Sequence, residues 1–311
     1  MNRPIAMLLA TAGMAMAADA LRVADAAPAA ARPAPAHTPL PRDAIPAGPF
    51  GDVVRNGEAI FLHTQRAAGA YVGNELSCQN CHLDAGRLAN AAPLWGAYPM
   101  YPTFRAKNNH VVTFQERLQG CFVFSMNGKA PPLGSPVLVA LESYAYWMSR
   151  GVPVGTELAG RGYPKLSAPA RPPDYARGAK VYGKQCALCH GADGQGQHAS
   201  NGRLAFPPLW GPQSFKWGAG MANVDLAAGF VKANMPLGLG GSLNDQDAWD
   251  VAMFIDSHER PQDPRFLGDL EATARKHHDT PWSNYGKVVN GKKLGLGVGS
   301  ADPRNGGQRE R

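Results

Sequence analysis

The sequence predicts an all-α protein made of two small helical domains that repeat one another. Three observations lead there. The pentapeptide C-x-x-C-H occurs twice, as CQNCH at 78–82 and CALCH at 186–190. Each copy is preceded by a segment of helical period, NGEAIF at 56–61 and RGAKVY at 177–182, which aligns Gly57 with Gly178 and Phe61 with Tyr182. Each is followed by PLWG, at 93–96 and 208–211. A repeat of this length marks the architectural unit, and 311 residues suffice for two modest cores.

Residues 1–20 carry Arg3, an apolar run from Ile5 to about Ala17, and small residues suited to cleavage, so they read as a secretory signal peptide and place the mature chain outside the cytoplasm. The run is too short for a comfortable membrane span and nothing later is longer, so no stable membrane insertion is expected. Residues 21–49 are dominated by Ala and Pro, a composition that builds no core and reads as a tether. Domain 1 is placed at 50–165 and domain 2 at 166–265. In domain 1, VLVALESYAYWMSRGVP puts Leu138, Leu141, Ala145 and Met148 on one helical face. In domain 2, NDQDAWDVAMFIDSHERP does the same for Val251, Phe254 and Ile255, with Asn244 as N-cap and Pro261 as stop signal. The glycine on each first helix predicts a close crossing by a second helix. Residues 266–311, rich in Gly, Lys and Arg, read as a partly disordered extension, although TPWSNYGKVV within it has the residues to pack over a cofactor edge. The net charge of +7 favours anionic partners, but no nucleic-acid motif accompanies it, so nucleic acid is not expected.

The two pentapeptides are c-type haem attachment sites: Cys78 and Cys81, like Cys186 and Cys189, stand one turn apart to hold one porphyrin covalently, while His82 and His190 face the iron. A redox disulfide pair or a zinc half-site explains one such motif less well in an exported chain, and two hardly at all. Two covalently bound haem c groups are therefore expected. The order helix, haem motif, distal-ligand loop, terminal helix is that of a class I cytochrome c domain.

A distal ligand separates electron transfer from chemistry. In the second repeat KANMPLG supplies Met235, 27 positions after Pro208; in the first, Cys121 lies 28 positions after Pro93. The only cysteine outside the two pairs thus occupies the methionine slot. Competing readings are a buried inert thiol, a disulfide to another chain, or iron ligation by Met126 or Met100 instead; register favours Cys121 over all of them. His63, His110, His198 and His258 fall outside that register, and His37, His277 and His278 lie in the tether and tail. The first repeat also has 21 positions from its helix glycine to its first haem cysteine against 8 in the second. That insertion of about 13 residues is placed to reshape one haem pocket.

The segment RLQGCFVFSMNGK at 117–129, with YPTFRAKNN upstream and WMSRGVPVG downstream, resembles the periplasmic dihaem thiosulfate dehydrogenases, and the resemblance spans about residues 50–265. It implies oxidative joining of two thiosulfates into tetrathionate in the periplasm. It further implies a first, catalytic haem held by His82 and Cys121, a second held by His190 and Met235, and a soluble acceptor such as a small cytochrome c or a high-potential iron–sulfur protein. Arg105, Lys107, Arg117 and Lys129 surround Cys121 in sequence, as joining two dianions requires, and Ser125 offers a hydrogen-bond donor. Where some relatives place Lys directly before the distal methionine, this chain has Asn234, with Lys232 two earlier, which argues against ligand switching. The rival functions are a dihaem electron carrier without a substrate site and a cytochrome acting on another sulfur compound.

Overall fold

The computed structural model describes residues 34–298; the expected signal peptide, the tether as far as residue 33, and residues 299–311 lie outside the described residues. Domain 1 opens with α1 (Pro49–Leu62), started by a proline behind Gly48 at φ 87°. It buries Val54, Gly57, Ile60 and Phe61 along one face. Its partner is α4 (Pro136–Met148), whose Leu138, Leu141, Ala145 and Met148 are buried as the periodicity requires. Between them come α2 (Thr64–Ala68) and α3 (Phe114–Gly120), the latter opened by a capping box of Thr113 and Glu116. Domain 2 repeats the plan with α5 (Tyr175–Gln185), α6 (Val224–Asn234) and α7 (Asp245–Ile255).

The glycines make the two crossings possible. A Cβ on Gly57 would run into the Ala140 carbonyl oxygen and the Tyr144 side chain, and one on Gly178 into the Asp250 carbonyl and Phe254. Gly57 and Gly178 are therefore the same joint used twice. Asn244 caps α7 by accepting from the Asp247 amide at 2.8 Å. That helix ends at Ile255, before Pro261 can act as the stop; the chain turns at Asp256, which takes the Arg260 guanidinium at 3.0 Å with both side chains fully buried.

The fold is mostly helical, with three two-stranded antiparallel ribbons: β1 (Thr103–Arg105) with β2 (His110–Val112), β3 (Gln197–His198) with β4 (Leu204–Phe206), and β5 (Val288–Val289) with β6 (Lys292–Lys293). No described helix is long and apolar enough to cross a membrane.

Two expectations are corrected. The described part of the tether is fastened down rather than free. The Ala159 amide donates to the Pro35 carbonyl at 2.9 Å, the His37 imidazole donates to the Met148 carbonyl at 2.8 Å, and Arg87 donates to the carbonyls of Pro39 and Leu40. A proline-rich strand is already extended and leaves its carbonyls unpaired, so donors from a neighbouring domain capture it at small entropic cost. The C-terminal extension is likewise ordered through residue 298. It forms α8 (Leu270–His277), capped by Asp269, and then places Trp282 against Trp249 at 4.5 Å and Tyr285 against Trp217 at 5.7 Å. None of residues 280–289 lines the first haem cleft. A few large apolar side chains hold this segment although its average composition is glycine-rich and polar. They close a third core that also takes in Phe215 of domain 2 and Phe124 of domain 1.

Candidate haem centres and an adjoining cationic cleft

The first centre is a cleft with about 1140 Å³ of space between atoms. Cys78, Cys81 and His82 form one wall, and Cys121, Phe122 and Met126 belong to another. Cys78 begins a short turn pinned by Ser77 and Asn80, which cap each other's backbone. The His82 Nδ1 donates to the Ala92 carbonyl at 2.6 Å, which fixes the tautomer and leaves Nε2 with its lone pair. Burial pulls His82 down to about 4, so the imidazole is neutral and fit to bind metal. Burial pushes the Cys78 thiol up to about 12 and Cys81 to about 11, and the sulfur of Cys121 adds to both shifts. Three sulfurs and one free imidazole nitrogen thus face a largely apolar space. This donor set fits a covalently held haem.

Cys121 itself stands at the C-terminal end of α3, where the chain changes pitch. Residues Cys121–Ser125 form a π-helical turn, with the Met126 amide donating to the Cys121 carbonyl five residues back at 3.0 Å. Such turns recur at functional sites because the wide pitch re-aims side chains. Arg117, one turn earlier, donates from Nη1 to the Cys121 Sγ at 3.0 Å, and that sulfur is the main cause raising the guanidinium's pKa. The extra residues of the first repeat brace this turn from outside. The Gly73 amide donates to Met126, the Lys129 amide to Tyr71, and the Asn74 amide group to the carbonyls of both Ser125 and Ser214. The insertion therefore does reshape the pocket, by clamping the turn to domain 2.

The second centre repeats the first with a different distal element. The His190 Nδ1 donates to the Pro207 carbonyl at 2.9 Å, just as His82 uses Ala92; in both repeats the acceptor directly precedes the proline of PLWG. Burial lowers the His190 pKa. Met235 caps the end of α6 as Cys121 caps α3, and packs with Cys186, Ala187 and Leu209. This centre also fits a covalent haem. Its neighbours Leu188, Leu237 and Leu239 are strongly exposed. Asn234 is buried and donates to the Asn90 carbonyl of domain 1 at 3.1 Å. Lys232 donates to the Leu243 carbonyl and pairs with Asp245 at 3.2 Å, which occupies its ammonium away from Met235.

The remaining histidines have other duties. His63 meets Arg203, His110 meets Glu116, His198 meets Glu75 at 2.7 Å, and His258 stacks on Trp210 at 4.1 Å. His278 is buried, with Nε2 against Asp263 at 2.9 Å. None of these lines the first cleft. Met126 does line it as a buried core residue, while Met100 lines an outer hollow.

Beside the first centre a second hollow of about 410 Å³ opens to solvent. Arg105, Lys107, Arg117 and Ser125, four of the five residues expected from sequence to meet substrate, line it. Lys129 does not join them; it is exposed and lines no described cleft. Arg105 is held by its hydrogen bond to the Tyr101 hydroxyl at 3.0 Å. Lys107 lies 3.8 Å from the centroid of the Phe124 ring and donates to the Gly218 carbonyl at 2.5 Å. Burial, then the nearby Arg265 and Arg117, bring its pKa down to about 8. Sequence reasoning missed Arg265 and Lys276, which line the same hollow from far along the chain. The only local signal was a run of basic residues in a segment read as tail.

Two attachment motifs on repeated helical domains, each with its imidazole oriented by an equivalent carbonyl, define a dihaem c-type cytochrome with two cytochrome c domains. The chain matches the SoxA/TsdA cytochrome c domain family over residues 63–154 and the cytochrome c family over 175–259. It is 55% identical over 302 residues to a thiosulfate dehydrogenase of Thiomonas intermedia (strain K12), covering 96% of each chain. It is also 55% identical over 256 residues to one of Stutzerimonas stutzeri (strain A1501), covering 82% of this chain and 83% of that one. Among solved structures it resembles the thiosulfate dehydrogenase TsdBA of Marichromatium purpuratum, with 49% identity and a TM-score of 0.82 over 85% of this chain; it spans 58% of that longer chain. The chain belongs to the thiosulfate dehydrogenase family, and its cofactors are two covalently bound haem c groups.

Proposed function

We propose that this protein joins two thiosulfate ions into tetrathionate in the periplasm and passes the electrons, through its second centre, to a soluble acceptor such as a small cytochrome c or a high-potential iron–sulfur protein. The observation that carries the reading is the sulfur of Cys121, which shares one cleft with Cys78, Cys81 and His82 and lies 3.0 Å from the Arg117 guanidinium. In this reading His82 and Cys121 flank the first iron, and His190 and Met235 the second. When bound, the two haems supply a pair of one-electron acceptors.

The residues divide the work as follows. Arg117 holds Cys121 as the thiolate, the form that reacts. Arg105 and Lys107 offset the charge of an incoming dianion, and Ser125 adds a hydrogen bond. The thiolate sulfur and the terminal sulfur of the first thiosulfate form a bond as two electrons leave. The terminal sulfur of a second thiosulfate then attacks the sulfur just added, which breaks the bond to Cys121, returns the thiolate and releases tetrathionate. No proton is gained or lost. Domain 2 roofs the reaction space through Phe215, Ala219, Gly220 and Met221, which line the first cleft. Orienting Cys121 and closing the site are thus shared between both domains.

The test is thiosulfate-dependent reduction of ferricyanide with tetrathionate as product, together with paramagnetic resonance of the oxidised protein. A low-spin His/thiolate signal beside a His/Met haem is expected. Two His/Met haems and no tetrathionate would leave an electron carrier, and turnover of a different sulfur compound alone would reassign the substrate.

A further inference from the structure

The C-terminal extension has no part in haem attachment, yet it reaches the reaction site. Through Phe215 and Trp217 of domain 2, Leu270, Ala274, Tyr285 and Leu294 of the extension share one core with Phe124, which belongs to the same π-helical turn as Cys121. The hollow beside Cys121 is walled on one side by the β1–β2 ribbon and α3, and on the other by Arg265 and residues 276–280. Five cationic side chains line it, Arg105, Lys107, Arg117, Arg265 and Lys276, against the carboxylates of Glu116 and Asp279. Glu116 is occupied in capping α3 and facing His110.

The cations are packed more closely than folding alone favours. Lys107 and Arg265 both lie over the Phe124 ring, the latter with its guanidinium 5.0 Å from the centroid. Lys107 has no carboxylate partner at salt-bridge distance among the described residues. Arg265 is fixed by Asp263, with Nε at 3.0 Å and Nη2 at 2.7 Å, which leaves Nη1 without a protein partner among the described residues. Asp263 is in turn steadied by His278, which stacks on Tyr285 at 4.0 Å. Arg265 is thus a rigid guanidinium fork with one donor spare. Like charges gathered in a half-closed hollow raise the local concentration of anions and bind strongly those that bridge several cations at once.

We propose that this hollow is the subsite for the second sulfonate-bearing dianion, and that Arg265 and Lys276, supplied by the C-terminal extension, determine its affinity. The inference rests on the thiosulfate-joining reading and adds to it the residues that seat the second substrate and the distal end of the product. The ligand chemistry is a doubly charged anion with a tetrahedral SO₃ end. It reaches across from Arg117 and Ser125, which line both the haem cleft and the hollow, to the extension. A carboxylate of the haem itself is the competing anion for these cations, and the experiment separates the two.

The test uses the oxidised holoprotein, which has no electrons to reduce tetrathionate, and measures tetrathionate binding by calorimetry. Lys276→Gln and Arg265→Gln each weaken binding by about tenfold, the effect of losing one charge-assisted hydrogen bond. The visible spectra of both haems stay unchanged, Lys276→Arg restores affinity, and Lys180→Gln on the far face of domain 2 has no effect. In turnover the same variants raise the KM for thiosulfate more than they lower kcat. Unchanged tetrathionate affinity in both variants overturns the proposal, as does a shift in haem potential without a change in affinity, which assigns the cations to the haem. A wild-type protein that binds tetrathionate through Lys276 and Arg265 but does not oxidise thiosulfate sinks the functional reading and leaves the anion site standing.

Discussion

The two halves of this protein use one plan to opposite ends. Both cross a pair of helices at a glycine, both anchor the proximal imidazole on the carbonyl before PLWG, and both end a helix at the distal residue. After that residue they part. Met235 leads into Pro236 in a neighbourhood of apolar side chains, with Lys232 tied to Asp245 and Leu243. Cys121 leads into a π-helical turn, with Arg117 on its sulfur and a cationic hollow alongside. A thioether in dry surroundings suits a centre that only passes electrons. A thiolate under a guanidinium, open to anions, suits one that makes bonds. The difference shows that a repeat conserves the support of a cofactor while a few residues at one helix end decide what the cofactor site does.

Breaking the difference at its source gives the largest effect. Cys121→Ala leaves both haems attached, because attachment uses other cysteines, and lowers thiosulfate turnover by about a thousandfold or more, as loss of a covalent nucleophile does. Cys121→Met makes the halves alike, and resonance spectra then show two His/Met haems in an inactive protein. Turnover retained in either variant would refute the role given to that sulfur. Next in size, Arg117→Gln removes the charge-assisted bond to Sγ and lowers kcat/KM by about 10- to 100-fold, read by steady-state kinetics. The haem 1 spectrum changes with it while haem 2 is unaffected.

A smaller effect appears with pH. Lys107 titrates near 8, since burial and the charges of Arg265, Arg117 and Arg105 lower it while Asp263 opposes them. It is therefore a cation below pH 8 and loses its charge above. The KM for thiosulfate is expected to rise about tenfold from pH 7 to 9, and Lys107→Gln to remove most of that dependence. A flat profile in the wild type would show that Lys107 does not meet substrate. The smallest effect tests the shared plan. Gly57→Ala and Gly178→Ala each force the same helix crossing apart and destabilise by about 1–3 kcal/mol, seen as lower denaturant midpoints. A large loss in one half alone would show that the crossings are not equivalent.

Much of this was legible in the residues because the relevant signals are local. Attachment motifs, helix faces and the Asn244 cap lie within one or two turns of chain, and the register of Met235 against Cys121 needs only counting. The π-helical turn was not legible, since no local residue type demands it; it exists because the insertion and domain 2 grip Met126, Phe124 and Ser125 from both sides. Lys129 looked equivalent to Arg117 by distance along the chain, but the turn carries it to the outer surface. Arg265 and Lys276 were hidden for the converse reason. They lie some 140 to 160 positions from Cys121 and only packing on Phe124 and Tyr285 brings them to its hollow.

By itself the sequence determined that this chain repeats a haem-attaching helical unit and that a thiol replaces a thioether in one copy, because covalent chemistry and helical period are written in short stretches. The tertiary structure alone decided that this thiol meets a guanidinium, a roof from the other domain and cations from the far end of the chain. Electrostatic environment is a sum over space, and no spacing along a chain reveals which distant charges folding brings within a few ångströms.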